Sequence, residues 1–277
     1  MILRLGRFSY DLEYRSLVMG ILNRTTDSFY DSGAYFDMDT FWRRAEELAA
    51  AGADILDVGG VKAGPGPEVA LAEELERVVP AVEGLIARFD LAVSVDTWNA
   101  EVARESFAAG AVLGNDISGF ADPVYLAVAA RAGVGVVATH IRLGPRIADP
   151  DPIYVDLVGE VAAFLTARAR QATEAGVAET SVIVDAGLDL GKTAEQSLEL
   201  LRASDRLADL GYPLLVSASN KTFLGRLLGL EIDERSEASI AALALGVCLG
   251  ARIVRVHDVA GARQAASVLA AMTQAAR

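Results

Sequence analysis

The chain has 277 residues, of which 52% are apolar, and a formal net charge of −13. A single domain spanning residues 1–277 is expected, because one αβ barrel commonly takes about 250 residues. The acidic balance argues against nucleic acid or an anionic membrane as a general partner. Arg4 and Arg7 interrupt the apolar N-terminus, and no apolar stretch reaches the roughly 18 residues of a membrane span. The sequence therefore predicts a soluble, cytoplasmic protein.

The chain has one cysteine, Cys248. It cannot form an intramolecular disulfide, which fits a reducing cytoplasm. Its surroundings, SIAALALGVCLG, are apolar, so we expect a small buried side chain and not a nucleophile.

Short apolar runs alternate with amphipathic segments along the whole chain. Runs without polar alternation are typical of parallel strands buried on both faces. Gly or Ala-Gly follows most of the helical segments, as expected at helix ends. Eight alternations without a strong interior linker favour a closed TIM (β/α)8 barrel. The predicted strands are Leu17–Leu22, Asp54–Val58, Ala92–Val95, Val112–Gly114, Gly135–Ala138, Ser181–Val184, Pro213–Val216 and Arg252–Val256.

The segments between these strands have helical periodicity. Phe41, Ala45 and Leu48 share one face of the first predicted helix. Leu198, Leu201 and Leu207 do the same in one continuous helix, EQSLELLRASDRLADL.

Polar residues stand at the carboxyl ends of the predicted strands, where a barrel of this type binds its substrate. Three long connections, Arg24–Asp37, Gly59–Pro67 and Arg142–Pro152, should overhang the same mouth, and long loops in compact domains are often functional. The strand-end residues are Asn23, Asp57, Asp96, Asn115, Asp116, His140, Asp185 and His257.

Two kinds of chemistry are open to these residues. Asp96 and Asp185, with Asn115, could hold the amidine-like edge of a heterocycle through parallel hydrogen bonds, although strand-end aspartates also cap helices. Lys221, Arg255 and His257 could hold a phosphate or pyrophosphate, since the loops after strands seven and eight often bind phosphate. Lys221 alone would be read as a solvated loop lysine.

Other site types are excluded. Gly191-Lys192-Thr193 lacks the earlier glycine of a P-loop, because Ala186 stands there. The two histidines and one cysteine give no zinc spacing, and no Gly-x-Ser-x-Gly elbow occurs. Asn23 could contribute to a Mg²⁺ held mostly by the phosphates of a ligand.

In these residues the chain resembles the dihydropteroate synthase family along nearly its whole length. The resemblance implies a barrel that joins a dihydropterin, activated as its pyrophosphate, to p-aminobenzoate. It assigns Asp96, Asn115, Asp185 and Lys221 to the pterin, and Asn23, Arg255 and His257 to pyrophosphate and Mg²⁺. The matching blocks are Met19–Phe29, Gly52–Gly60, Val93–Thr97, Asn115–Gly119, Gly191–Thr193, Lys221–Phe223 and Arg255–Val259.

The sequence departs from the family pattern mainly in its loops. The second loop lacks the family's Thr-Arg pair, and Lys62 or Arg24 could supply some of the missing charge. Asn220 stands where the family has Arg, and Leu190 where it has Phe. The other departures are Arg24, Thr26, Thr139, Asp189 and Ser217, of which Asp189 would add an unpaired charge near Asp185.

The leading hypothesis is a diverged paralogue with little or no synthase activity, similar to the divergent second copy that some actinobacteria carry. A working synthase with unusual loops, a regulatory pterin- or folate-binding protein, and a transferase with a different acceptor are the alternatives. The family is typically dimeric, and the apolar helices Ser236–Leu249 and Ala260–Ala275 suit a homodimer or simple packing on the barrel.

Overall fold

The computed structural model describes residues 1–24 and 37–275. Eight parallel strands close into a barrel in the order β10-β3-β4-β5-β6-β7-β8-β9. A two-stranded antiparallel sheet, β1 with β2, precedes them. The strands are β1 (Ile2–Leu5), β2 (Phe8–Asp11), β3 (Leu17–Asn23), β4 (Ile55–Gly59), β5 (Ala92–Asp96), β6 (Leu113–Asp116), β7 (Gly135–Thr139), β8 (Val182–Asp185), β9 (Leu214–Val216) and β10 (Ile253–Val256).

Helices follow the barrel strands and cover the outside of the barrel. The predicted TIM barrel of one domain is therefore confirmed, and each of the eight predicted strands overlaps an observed one. The helices are α1 (Met38–Ala50), α2 (Leu71–Arg88), α3 (Ala100–Ala108), α4 (Pro123–Ala132), α5 (Leu157–Glu174), α6 (Ala194–Arg202), α7 (Ser204–Ala208), α8 (Thr222–Leu228), α9 (Ser236–Cys248) and α10 (Val259–Ala275).

Alternate residues of each strand face opposite sides of the barrel wall. One set packs against the helices in a large apolar cluster that includes Val18, Leu56 and Val93. The other set faces the barrel interior and begins with an apolar layer. This layer contains Met19, Ile55, Ala92, Leu113, Val137, Ile183, Leu215 and Ile253.

The hairpin β1–β2 closes the amino-terminal end of the barrel. Leu3, Leu5 and Leu12 are fully buried and belong to the same cluster as the interior layer. The sequence reading missed this hairpin, because four-residue strands broken by Arg4 and Arg7 give no clear period. Its consequence is that apolar side chains fill the barrel interior at the amino-terminal end, while the polar strand ends lie at the carboxyl-terminal mouth.

Two expectations about the helices are wrong. The segment after β8 forms α6 and α7, two helices that meet at Ala203, and Leu198 is only half-buried. Cys248 is exposed and not buried. The helix α9 is apolar on every side, so periodicity could not show which face packs; the buried face holds Ser239, Ala242, Leu243 and Gly246, and Cys248 lies off it.

Over the described ranges, no helix combines the length and the apolar character that a membrane span requires.

The hairpin predicts a localised effect on stability. Leu5→Ala should lower the free energy of unfolding by about 2–5 kcal/mol, because it leaves a cavity in the interior layer. Ile2→Ala on the same strand is the control, since Ile2 is 43% exposed and should cost much less. Urea denaturation followed by circular dichroism measures both; equal losses would show that the hairpin does not plug the barrel.

Candidate functional site

The register of the strands puts several polar residues side by side at the barrel mouth. Asn23 pairs with Gly59, Gly59 with Asp96, and Asp96 with Asn115. A side chain at Gly59 would contact Asn23 Oδ1 and the Asp96 side chain, so these two groups flank the glycine. We call the strand-end residues Asn23, Asp57, Asp96, Asn115, Asp185 and Arg255 the polar ring.

A buried ionic network joins the strands across the ring. Arg255 Nε donates to Asp57 Oδ2 over 2.6 Å, and its Nη2 donates to Asp96 Oδ2 over 2.7 Å. Asn115 Nδ2 also donates to Asp57 Oδ2, over 3.2 Å. Charge-assisted bonds of this length are the strong class, and one guanidinium therefore fixes two carboxylates from different strands.

Within this network, the pKa of the Asp96 carboxyl is shifted by burial. Burial raises the pKa of Asp96 to about 7; the Arg255 guanidinium opposes that rise and the Asp57 carboxylate adds to it. The short Arg255–Asp96 bond favours the ionised carboxylate, so geometry and burial act in opposite directions here. Burial therefore raises the pKa of Asp96 while the bond to Arg255 holds the carboxylate in place.

Three buried polar atoms in and beside the polar ring lack a hydrogen-bond partner among the described residues. They are Asp57 Oδ1 in the ring, Ser94 Oγ on the residue that pairs with Asp57, and Thr139 Oγ1 at the end of β7. Buried polar groups in proteins are nearly always paired. A ligand that presents hydrogen-bond donors to the ring would satisfy the carboxylate oxygen.

Asp185 and Lys221 lie near each other at the mouth and attract each other electrostatically. Asp185 Oδ1 accepts the Gly187 N–H over 2.8 Å, and Lys221 Nζ donates to the Leu188 carbonyl over 2.6 Å. Burial raises the pKa of Asp185 and lowers that of Lys221, and their mutual attraction opposes both shifts. Lys221 is therefore part of the site and not a solvated loop lysine.

Lys192 is a buried amine that sequence reasoning did not assign to the site. Its Nζ lies 2.9 Å from His140 Nδ1 and donates to the carbonyls of Gly187 and Leu190, both over 2.9 Å. Burial lowers the pKa of Lys192 to about 7, and burial together with the Lys192 charge lowers that of His140 to about 3. This cluster fixes the loop after β8, so its amine is engaged within the protein.

His257 lies at the ring but differs from the expected cation. Ser219 Oγ is 3.0 Å from His257 Nδ1, and the backbone N–H of His257 donates to the same hydroxyl over 3.1 Å. Burial and the nearby Arg255 and Arg44 guanidinium groups lower the pKa of His257 to about 3. This low pKa favours the neutral imidazole of His257, which can exchange a hydrogen bond with an anion but adds no positive charge.

Asp189 is not the unpaired charge that its position suggested. Its backbone is left-handed, with φ of 65°, a conformation that glycine adopts without cost. Its Oδ2 accepts the Phe223 N–H over 3.3 Å, and its Oδ1 accepts the Ser197 hydroxyl over 3.3 Å. The side chain therefore has specific partners on α6 and α8.

Arg24, at the root of the first long loop, turns toward helix α2. Its Nη1 donates to the carbonyls of Arg77 over 2.8 Å and Glu76 over 3.2 Å. Pro80 lies four residues after Glu76 and has no N–H, so the helix itself cannot bond the Glu76 carbonyl. Arg24 supplies that missing donor. The loop residues 25–36, including Thr26, lie outside the described residues.

Arg146, in the third long loop, is bonded to the second. Its N–H donates to the Ala63 carbonyl over 3.0 Å, and its guanidinium donates to the carbonyls of Lys62, over 3.0 Å, and Pro67. A side chain at Gly66 would meet the Arg146 guanidinium at 2.7 Å. The second loop is thus wrapped around an arginine from a different loop.

Arg146 leads to a prediction about loop order. Arg146→Ala should increase amide hydrogen exchange in residues 61–67 by about tenfold, because the hydrogen bonds that close this loop are lost. Arg170→Ala is the control, since Arg170 forms only an exposed ion pair with Glu174. Unchanged exchange in Arg146→Ala, measured by mass spectrometry, would contradict the assigned role.

The known proteins that resemble this chain share both its sequence and its fold. The family described as "Pterin binding enzyme" matches residues 19–257. The chain is 44% identical over 266 residues to "Inactive dihydropteroate synthase 2" of Mycobacterium leprae, covering 93% of this chain and 91% of that protein. It is 41% identical over 273 residues to the dihydropteroate synthase of Synechocystis, covering 98% and 94%.

Solved structures agree with these sequence matches. A crystal structure of Yersinia pestis dihydropteroate synthase with a sulfonamide drug complex superposes with a TM-score of 0.95 at 37% identity, covering 99% of this chain and 100% of that chain. A structure from Xanthomonas albilineans with 4-aminobenzoic acid superposes with a TM-score of 0.90 at 37% identity, covering 98% of both chains. The chain therefore belongs to the dihydropteroate synthase family of pterin-binding barrels.

Proposed function

We propose that this protein binds a pterin-type ligand in the polar ring and has little or no dihydropteroate synthase activity. The proposal rests on a contrast: the polar-ring residues bond to one another, whereas the arginines of the loops bond to main-chain carbonyls. The ring residues Asp57, Asp96, Asn115 and Arg255 form one bonded network. Arg24 and Arg146, at the mouth, bond to main-chain carbonyls of the protein itself.

The ring matches the hydrogen-bonding edge of a pterin. A guanidine-like edge presents adjacent N–H donors, and carboxylates accept such pairs through parallel hydrogen bonds. Asp96 and Asp185 are the acceptors in this proposal, Asn115 offers both a donor and an acceptor, and Lys221 donates to a ring carbonyl. The unpartnered Asp57 Oδ1 supports a ligand rich in donors.

A pyrophosphate group would lie beside Asn23, Arg255 and His257. Within residues 1–24 and 37–275, no three His, Cys, Asp or Glu side chains form a metal site. A Mg²⁺ ion held mostly by ligand phosphates needs only one or two protein oxygens, and Asn23 Oδ1 at the ring edge fits that requirement. When bound, the ion would stabilise the leaving anion.

The contacts of the loop cations support the proposal that turnover is weak. Loss of pyrophosphate from the pterin methylene builds negative charge that cations must stabilise. Of the two residues that could supply the missing loop charge, Arg24 bonds to carbonyls of α2, and Lys62 lies in a loop whose carbonyls are bonded to Arg146. Arg255, the ring guanidinium, is shared by two carboxylates.

An active synthase is the second candidate. It is favoured by the 41% identity to the Synechocystis dihydropteroate synthase over nearly the whole chain. A regulatory pterin- or folate-binding protein would share the binding step with the leading proposal and differ only in its partners. A turnover assay distinguishes the leading proposal from an active synthase, because both proteins would bind a pterin and only the synthase would form dihydropteroate.

Turnover is tested with dihydropterin pyrophosphate, p-aminobenzoate and Mg²⁺, while calorimetry measures pterin binding on the same protein. We expect binding without appreciable dihydropteroate formation. Gly64→Arg, at the position of the family's loop arginine, should raise the rate by about tenfold or more if that missing cation limits it, since a charge-assisted contact contributes about 1.5–3 kcal/mol. Ala167→Arg on the exposed face of α5 is the control. A wild-type rate typical of an active synthase would sink the proposal.

Pterin affinity should depend on pH through Asp96. The ionised carboxylate accepts ligand N–H donors, and its pKa is about 7. Affinity should therefore be full above pH 7 and fall by about tenfold per unit below it, as Asp96 takes up a proton. Calorimetric titrations from pH 5.5 to 8.5 measure this; Asp96→Asn should bind weakly and lose the slope. The same slope in that variant would assign the titration to another group.

We also propose a homodimer through α9 and α10. Leu245, Val268 and Met272 are 40%, 59% and 63% exposed on these helices, an unusual concentration of apolar surface. Val268→Glu should shift a dimer to monomer in sedimentation velocity. Val124→Glu, at an apolar residue of α4 that is 55% exposed, is the control. A wild-type monomer at micromolar concentration would contradict the proposal.

A further inference from the structure

A cavity of about 170 Å³ opens at the rim of the barrel beside the polar ring. It lies near the polar ring because the Lys221 amine interacts both with Asp189 of the cavity lining and with Asp185 of the ring. A second cavity beside Ser219 and His257 admits only about 20 Å³, the space of roughly one water. The larger cavity is lined by Asp189, Lys192, Ala194, Thr222, Phe223 and Arg226.

Asp189 is the acidic group in the wall of this cavity, and its position is fixed. A left-handed backbone at a residue other than glycine persists only where the surroundings hold it. The bonds from Ser197 and the Phe223 N–H supply that restraint. The carboxylate therefore occupies the one Phe223 amide donor that glycine at position 189 would leave open.

Both lysines around the cavity have polar partners within the protein. Lys192 Nζ contacts the His140 ring and three main-chain carbonyls, and Lys221 Nζ donates to the Leu188 carbonyl. Both amines also interact with Asp185 and Asp189. Two lysines thus face two aspartates. Arg226 lies on the exposed edge, where an ion pair contributes little.

We propose that Asp189 determines the charge of the second ligand, so that the cavity binds neutral aromatic amines in preference to those that carry a carboxylate. The inference rests on the proposed function, because it concerns the cavity next to the pterin ring. A carboxylate entering here adds a negative charge beside Asp189, and the two buried donors of the lining, Lys192 Nζ and the Phe223 N–H, already bond to groups of the protein. A neutral amine avoids that repulsion and can donate to the Asp189 carboxylate.

The test compares two probes of the same shape, 4-aminobenzoate and 4-aminobenzamide, which differ in charge. Each is titrated by NMR into protein loaded with 6-hydroxymethylpterin, pyrophosphate and Mg²⁺, a mixture that cannot react. Wild type should bind the amide at least about tenfold more tightly than the acid. Asp189→Asn keeps the size of the side chain and tolerates the left-handed backbone, and it should reduce the preference to about threefold or less.

Two further variants separate charge at this point from other effects. Asp189→Gly removes both the charge and the backbone strain, so it should fold and also lose the preference. Glu195→Gln removes one negative charge beside Arg226 without lining the cavity, and it should keep the preference. Equal binding of the two probes by wild type, no binding of either, or an equal effect of Glu195→Gln would overturn the inference.

Failure of the inference can be told apart from failure of the proposed function. The pterin is titrated first, and absence of pterin binding contradicts the proposed function alone. The ratio of the two probes is then measured on the protein without pterin. It still reports on Asp189, since the carboxylate and its partners belong to the protein.

Discussion

The Arg255 guanidinium is the group on which the mouth of this barrel depends. It lies between Asp57, which is fully buried, and Asp96, and bonds to both. Without it, two carboxylates would face each other in a closed apolar barrel, and removing one partner of a buried ion pair typically costs about 3–5 kcal/mol. Because the three residues come from β4, β5 and β10, the same bonds that neutralise charge also fix the relative positions of the strand ends.

The rest of the fold places this network at one end only. The hairpin β1–β2 fills the opposite end with Leu3, Leu5 and Leu12, and an apolar layer separates it from the ring. Within the polar ring above that layer, Asp57 Oδ1 is buried without a partner among the described residues. The pterin that we propose as the ligand presents hydrogen-bond donors, and the chain belongs to the pterin-binding family.

The eight strands and the closure of the barrel were predictable because each strand is an apolar run that ends in a polar residue. The positions of Asp96, Asn115 and Asp185 at the mouth follow from the same pattern. Asp57 gave a signal too, as a carboxylate within an apolar run, but its role needs the distance to Arg255. The sequence could not show that His257 is neutral, because its pKa depends on burial and on guanidinium groups from distant parts of the chain.

The loops were the least predictable part, since their conformation depends on contacts between segments far apart in sequence. The sequence around Lys62 gives no sign that Arg146 donates to its carbonyl. The sequence around Arg24 gives no sign of its bond to α2 either; the only indication is Pro80, within α2 itself, which leaves the Glu76 carbonyl without a helical partner. These contacts determine where the cations of the mouth point. In this chain the polar ring keeps the residues expected for the family, whereas the loops around it differ in sequence and hold their cations on main-chain carbonyls.

In the proposed complex, Arg255 and its two carboxylates act as one unit in holding a pterin. A double-mutant cycle on pterin affinity, with Asp57→Asn and Arg255→Gln alone and combined, measures this coupling directly by calorimetry. Residues in one hydrogen-bond network show interaction energies of about 0.5–3 kcal/mol, so the double variant should lose clearly less than the sum of the single losses. Strictly additive losses, or single variants that bind the pterin as wild type does, would contradict the account.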